Sequence, residues 1–242
     1  MALAAEYPDA QQSVIAEQLA LRAGEVPLPF ARQEVEQVTQ GWSSQAIFSA
    51  TEEDFRTVAP QAGVLHLAMH AYTNLEASQQ SGLQFTPPAG ETGGFLSQAE
   101  LQAIPLQARL VTLSACNTGV GTPVPGEGPL SLARSFLQAG ADGVTMSLWR
   151  VPDRETAQLM EGYYALLAEG LAPTQALRHA KLKYLDQVTD PLRAHPFFWA
   201  GFVHTGQDAP LSEELSGMWL TVLGVLLAGL MVGVVLYRRI EK

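Results

Sequence analysis

One cysteine, Cys116, occurs in 242 residues. No disulfide can therefore form within the chain, and the thiol is either packed away or reactive. The amino terminus, MALAAEYPDAQQ, has no basic stretch followed by an apolar run, so no signal peptide is visible. No internal repeat or low-complexity segment appears. No His, Cys and carboxylate cluster has zinc-ligand spacing. The Gly-rich GVGTPVPGEG stretch lacks the Gly-Lys-Ser/Thr that would reach phosphate and magnesium, which excludes a phosphate loop. No metal and no cofactor are expected.

Basic residues are also scarce, 14 Lys and Arg against 24 Asp and Glu. Three of the basic groups (Arg238, Arg239, Lys242) and one acidic group (Glu241) follow the last apolar segment, so residues 1–217 carry 11 basic and 23 acidic groups, a net of −12. Such a surface repels nucleic acid and anionic headgroups, and no nucleic-acid partner is expected. A solvated acidic surface explains it without a specific cationic partner.

What is present at the carboxyl end is a run without charge, MWLTVLGVLLAGLMVGVVLY, residues 218–237. Its 20 positions, at about 1.5 Å rise each, match a hydrocarbon core of roughly 30 Å, and the run is predicted to be a transmembrane helix. Trp219 and Tyr237 stand near its ends, as interfacial anchors do. Gly229 and Gly233 form a GxxxG that would suit a helix dimer. The flank before the run, GQDAPLSEELSG, has no Lys or Arg, whereas the five-residue tail 238–242 has three. That asymmetry favours a cytoplasmic tail and an extracytoplasmic domain. A tail-anchored cytoplasmic protein is the alternative, and a leader in a longer precursor would reconcile the two. The expected organisation is a domain over 1–207, a linker over 208–217, the span over 218–237 and the basic tail.

Within the domain, GVLHLAMHA, RLVTLSA and DGVTMSLW are continuous rather than alternating apolar runs, the pattern of strands buried on both faces of a parallel sheet. ALAAE and QAIFSA read as shorter strands. Helices are predicted for PFARQEVEQV, for SATEEDF with Thr51 and Asp54 at capping-box spacing, and for GPLSLARSFLQAG between Pro129 and Gly140. DRETAQLMEGYYALLAEG is predicted to bury Ala157, Met160, Tyr164 and Leu167, and TQALRHAKLKYLDQ forms a further helix. Strands alternating with helices give an α/β domain with a mostly parallel sheet and helices on both faces. The Gly- and Pro-rich segment YTNLEASQQSGLQFTPPAGETGGF reads as a long loop or hairpin excursion.

In an open parallel sheet, ligands bind beyond the carboxyl ends of the strands. VLHLAM ends at His70 and LVTLSA ends at Cys116. On neighbouring strands the two side chains would emerge on one edge, the arrangement a Cys–His hydrolase needs: a thiol that loses its proton and an imidazole that takes it. His66 lies inside its strand and is expected to be a packed or hydrogen-bonded core residue. His179 in a helix, His195 before Pro196 and His204 at a strand end are expected to be structural.

HLAMHA and LSACNTG, in that order, resemble the two catalytic strands of the CHAT-domain peptidases, bacterial relatives of caspases. The resemblance continues through GEGPLSLARSFLQAGADGVTMSLWRVPD, LPFARQEV upstream and HPFFWAGFVHTG downstream, over roughly residues 28–206. It implies a caspase-like three-layer α-β-α sandwich. Cys116 would be the nucleophile, His70 the general acid or base, and the backbone N–H groups of Cys116 and Ala71 the oxyanion hole. Family enzymes usually carry Gly after the His, so the methyl of Ala71 is a departure that would narrow the cleft or constrain the backbone. The family's opening strands and its Pro, Gly and Leu motif have no counterpart ahead of ALAAEYP, which suggests the carboxyl-terminal part of a longer protein, with helical repeats upstream.

Ser114, Trp149 and Asp153 are the substrate-pocket residues the resemblance suggests. Ser114 and Trp149 could equally be packing residues. Asp153 either favours Lys or Arg in the substrate or caps the helix beginning RETAQ. The leading expectation is a membrane-anchored cysteine endopeptidase acting on protein or peptide through a Cys116 thioester. A catalytically silent, membrane-tethered interaction or signalling module is the alternative, and an acyl transferase using the same dyad is a third.

Overall fold

The computed structural model describes residues 1–4, 28–72, 81–87, 93–114, 130–149 and 151–211. Among them, nine strands form two sheets. The main sheet contains β1 (Ala2–Ala4), β2 (Ala46–Ile47), β3 (Val64–Ala68), β7 (Leu110–Leu113), β8 (Gly143–Ser147) and β9 (Phe202–Gly206), in the order β2-β1-β3-β7-β8-β9. All neighbours are parallel except β8 and β9, which run antiparallel. A smaller antiparallel sheet, β4 (Ala71–Tyr72), β5 (Gly82–Gln84) and β6 (Phe95–Ser97), occupies the segment read as a loop or hairpin excursion.

Continuous apolar strands arise because both faces are covered. Leu65 and Leu67 of β3, Val111 and Leu113 of β7 and Val144 and Met146 of β8 pack into one core. With them lie Phe55 of α2 (Glu52–Val58), Leu101 of α3 (Gln98–Gln102) and Phe136 of α4 (Leu130–Ala139). The opposite core gathers Ala68, Leu110 and Phe202 under α1 (Ala31–Thr39), α5 (Asp153–Ala168) and α6 (Pro173–Gln187). The fold is thus mixed α/β with a mostly parallel sheet and helices on both faces. Phe55, Phe136, Tyr163 and Phe202 are fully buried, and each such side chain contributes roughly 1.5–3 kcal/mol by leaving water.

Local signals set the helix bounds. The Thr51 hydroxyl accepts from Asp54 N–H while the Asp54 carboxylate receives Thr51 N–H at 2.9 Å, so the capping box expected from the sequence forms. Ser97 and Glu100 repeat it at α3. Helix α4 closes at Gly140, whose positive φ of 113° suits a residue without a side chain, and a Cβ there would run into the Leu106 carbonyl. In α5, Ala157, Met160, Tyr164 and Leu167 are all buried, as the spacing predicts.

Residues 208–211, the first four of the expected linker, contact the domain. Thr174 N–H donates to the Asp208 carboxylate at 2.8 Å, and the Arg109 guanidinium donates to the Pro210 and Leu211 carbonyls at 2.8 and 2.5 Å, so residues 208–211 are docked on the domain. No helix among the described residues is long and apolar enough to cross a membrane. The predicted span, Gly229 and Gly233 lie outside the described residues.

Candidate active site

Strands β3, β7 and β8 lie side by side and run the same way, so their carboxyl ends share one edge. His70 follows β3 on this edge, Ser114 follows β7, and Trp149 follows β8. Cys116, two positions beyond Ser114, lies outside the described residues. The register is informative: Leu67 pairs with Leu113, 46 positions on, and the same 46 separates His70 from Cys116 in the sequence.

His70 is 2 % exposed. Its carbonyl accepts Gln84 N–H at 2.9 Å, which ties the end of β3 to the small sheet. Ala71 partners Leu83. Because Gln84 N–H goes to His70 rather than to Ala71, Ala71 and Leu83 form a non-hydrogen-bonded pair, and the Ala71 N–H faces away from β5. The Ala71 methyl belongs to the core shared with Leu65, Leu83 and Phe85. Its φ is not positive, Ser49 being the single non-glycine residue with positive φ among those described. Among the described residues, the methyl thus packs inward and the Ala71 backbone needs no glycine conformation.

Ser114 is buried, its N–H donating to the Leu67 carbonyl at 3.2 Å and its hydroxyl reaching the same oxygen at 3.4 Å. It therefore extends the β3–β7 ladder by one step toward the site. The indole N–H of Trp149 donates to Phe197 O at 2.9 Å, its backbone carbonyl accepts from the Ser147 hydroxyl at 2.7 Å, and the ring lies over Gly201. The ring orientation is set by the 196–198 turn as much as by β8.

Asp153 is not an N-cap. Helix α5 starts at Asp153 itself, with Pro152 at the cap position and no side-chain cap bond. Its Oδ2 instead accepts Phe30 N–H at 2.7 Å, joining the start of α5 to the start of α1. A carboxylate in the first turn is favoured by the helix dipole in addition.

Behind the edge lies a buried chain of polar groups. The Glu34 carboxylate lies 2.8 Å from His66 Nε2, His66 Nδ1 lies 3.2 Å from the Tyr164 hydroxyl, and that hydroxyl lies 2.9 Å from Thr112 Oγ1. All four residues are at most 4 % exposed. Burial, foremost, raises the Tyr164 hydroxyl well above its ordinary pKa, so it stays a neutral hydrogen-bonding group. His66 is hydrogen-bonded in the core, as expected. Glu34 was legible only as a carboxylate on the buried stripe Ala31, Glu34, Val35, Val38.

The remaining histidines have structural partners or open surface. His204 lies in the middle of β9 rather than at its end, between the Thr145 hydroxyl and Gln207 O, each at 2.9 Å. His195 caps the 196–198 turn by accepting Phe197 N–H, and His179 is exposed on α6. Among the described residues, no group of three His, Cys, Asp or Glu side chains could hold a metal ion.

A family model described as the CHAT domain matches residues 2–207. The chain belongs to the CHAT domain family. Tetratricopeptide repeat protein 28 of Mus musculus is 28% identical over 229 residues, and that of Homo sapiens 26% identical over 226. In each case the match covers 78% of this chain but 9% of the relative, so this CHAT domain spans about a tenth of the length of those proteins. Among solved structures, an Arg-specific cysteine proteinase, gingipain R, aligns with a TM-score of 0.47 at 9% identity, over 87% of this chain and 46% of that one.

Proposed function

We propose that this CHAT domain is the catalytic unit of a membrane-anchored cysteine endopeptidase with a caspase-like three-layer fold. The observation that carries the reading is the β3–β7 register, whose offset of 46 equals the separation of His70 and Cys116, with His70 just beyond the carboxyl end of its strand.

In this reading His70 takes the Cys116 proton, and the thiolate sulfur attacks the scissile carbonyl carbon. The tetrahedral oxyanion is held by the N–H groups of Ala71 and Cys116; the orientation of the Ala71 N–H away from β5 supports this role. The carbon–nitrogen bond then breaks as His70 returns the proton to the leaving amine. Water, deprotonated by His70, attacks the thioester and releases the carboxylate and the thiol.

Ser114 and Trp149 would border the side-chain pocket, and Asp153 would favour Lys or Arg in the substrate. The span over 218–237 would anchor the domain, with the extracytoplasmic side favoured by the tail charges and Gly229 and Gly233 offering a dimer face. The relatives are named for tetratricopeptide repeats, which supports helical repeats preceding the domain in a longer protein. A catalytically silent interaction or signalling module, suggested by Ala71 and by the missing opening strands of the family domain, is the second reading.

The test compares the wild type with Cys116→Ala on a peptide mixture carrying every residue type at the cleavage position. Cutting by the wild type alone supports the peptidase, and a Lys or Arg preference that Asp153→Asn weakens supports the pocket role. Equal cutting by both proteins overturns the reading.

A further inference from the structure

The end of the described chain lies at the pole opposite the candidate active site. Strand β9 runs antiparallel to β8, from Phe202 beside Ser147 to Gly206 beside Gly143, and so returns the chain to the amino edge of the sheet. There Arg109, the residue before β7, holds the Pro210 and Leu211 carbonyls with its guanidinium and donates its own N–H to Gly63 O, just before β3. His70 and Ser114 stand beyond the other ends of the same two strands.

We infer that the active-site edge faces away from the bilayer, so that the domain acts on polypeptides presented from the aqueous side rather than on bonds at the membrane surface. The inference rests on the membrane span and dyad proposed above. Only residues 212–217 separate Leu211 from the span, a stretch that reaches about 20–25 Å when fully extended. A compact domain of this size is about 40 Å across. The linker is therefore too short to pass around the domain and turn the far edge to the membrane.

The experiment uses full-length protein in a Cys116→Ala background with a single fluorophore. One version carries the dye at Gln61→Cys on the amino edge, the other at Leu148→Cys past the end of β8; both positions are exposed. Each is reconstituted into phosphatidylcholine vesicles containing a headgroup-labelled energy acceptor. Quenching several-fold stronger at position 61 than at 148 is expected. Equal quenching, or stronger quenching at 148, overturns the orientation. Protein that fails to float with vesicles overturns it together with the span. Because the readout needs no catalysis, a failure of the dyad assignment leaves this result unchanged and shows separately in the peptide assay. A substrate-side check uses the wild type: soluble peptide should be cut equally in vesicles and detergent, whereas peptide held at the bilayer by a short lipid tether should be spared. Cutting of the short-tethered peptide at the soluble rate contradicts the inference.

Discussion

His66 and Thr112 face each other across the β3–β7 pair, and the Tyr164 hydroxyl lies within hydrogen-bonding distance of both. Each stands four positions before a member of the proposed dyad, His66 before His70 and Thr112 before Cys116. A hydroxyl from α5 thereby pins the register of the two strands that lead to the site, while Glu34 of α1 holds the outer side of His66.

This network predicts an order of stability losses. Tyr164→Phe keeps the ring but removes the hydroxyl and should cost about 1–2 kcal/mol. His66→Ala leaves the Glu34 carboxylate buried without its partner and should cost about 3–5 kcal/mol. Urea unfolding midpoints of the two variants check the order, and a smaller loss for His66→Ala would contradict it.

Ala71→Gly restores the residue usual in the family, yet it should not raise activity. The position has no positive φ and its methyl sits in the core. The substitution should lower stability by about 1 kcal/mol through added chain entropy and lost burial. Peptidase rate and unfolding midpoint, measured on the same preparation, decide this, and a tenfold gain in rate would show that the methyl does obstruct the cleft.

Gly82 tests the wall beside the site. A Cβ there would meet the Leu96 carbonyl across β5 and β6, two residues from the Gln84 N–H that holds His70 O. Gly82→Ala should therefore cost about 1–3 kcal/mol by overpacking and lower peptidase activity alongside. Unchanged stability would mean the small sheet can shift without strain.

The two capping boxes give a pH signature. Bonds from Thr51 hold the Asp54 carboxyl below its ordinary pKa, and bonds from Ser97 do the same for Glu100. Their stabilisation is complete above the ordinary carboxylate range and is lost as pH falls through it and the lowered folded values. Both groups are largely solvent-screened, so the effect is modest. Thr51→Ala should lower the urea midpoint at pH 7 and do so progressively less as pH falls below about 4. A difference independent of pH would contradict this origin.

The main sheet was legible because β3, β7 and β8 are covered on both faces and so read as unbroken apolar runs. Helix α5 was legible because Ala157, Met160, Tyr164 and Leu167 keep one helical stripe. The small sheet was legible only as one of two alternatives, a loop or a hairpin excursion, since its strands are two or three residues long and carry no internal pattern that fixes their pairing. The direction of β9 was hidden, because FVHTG carries no sign of whether its neighbour runs with or against it. At the site, the end of an apolar run pointed to His70 and the family resemblance to Ser114, whereas the Asp153–Phe30 bond joins residues 123 apart, a relation no local spacing encodes.

The most direct test of the central claim is the pH dependence of Cys116 alkylation, compared between the wild type and His70→Ala. With a single cysteine in the chain, the modified site is unambiguous. If His70 and Cys116 act as a pair, the wild type should react well below pH 7, and His70→Ala should fall back to the profile of an ordinary thiol with a pKa of about 8.5. Coincident profiles would contradict the pairing on which the proposed chemistry depends.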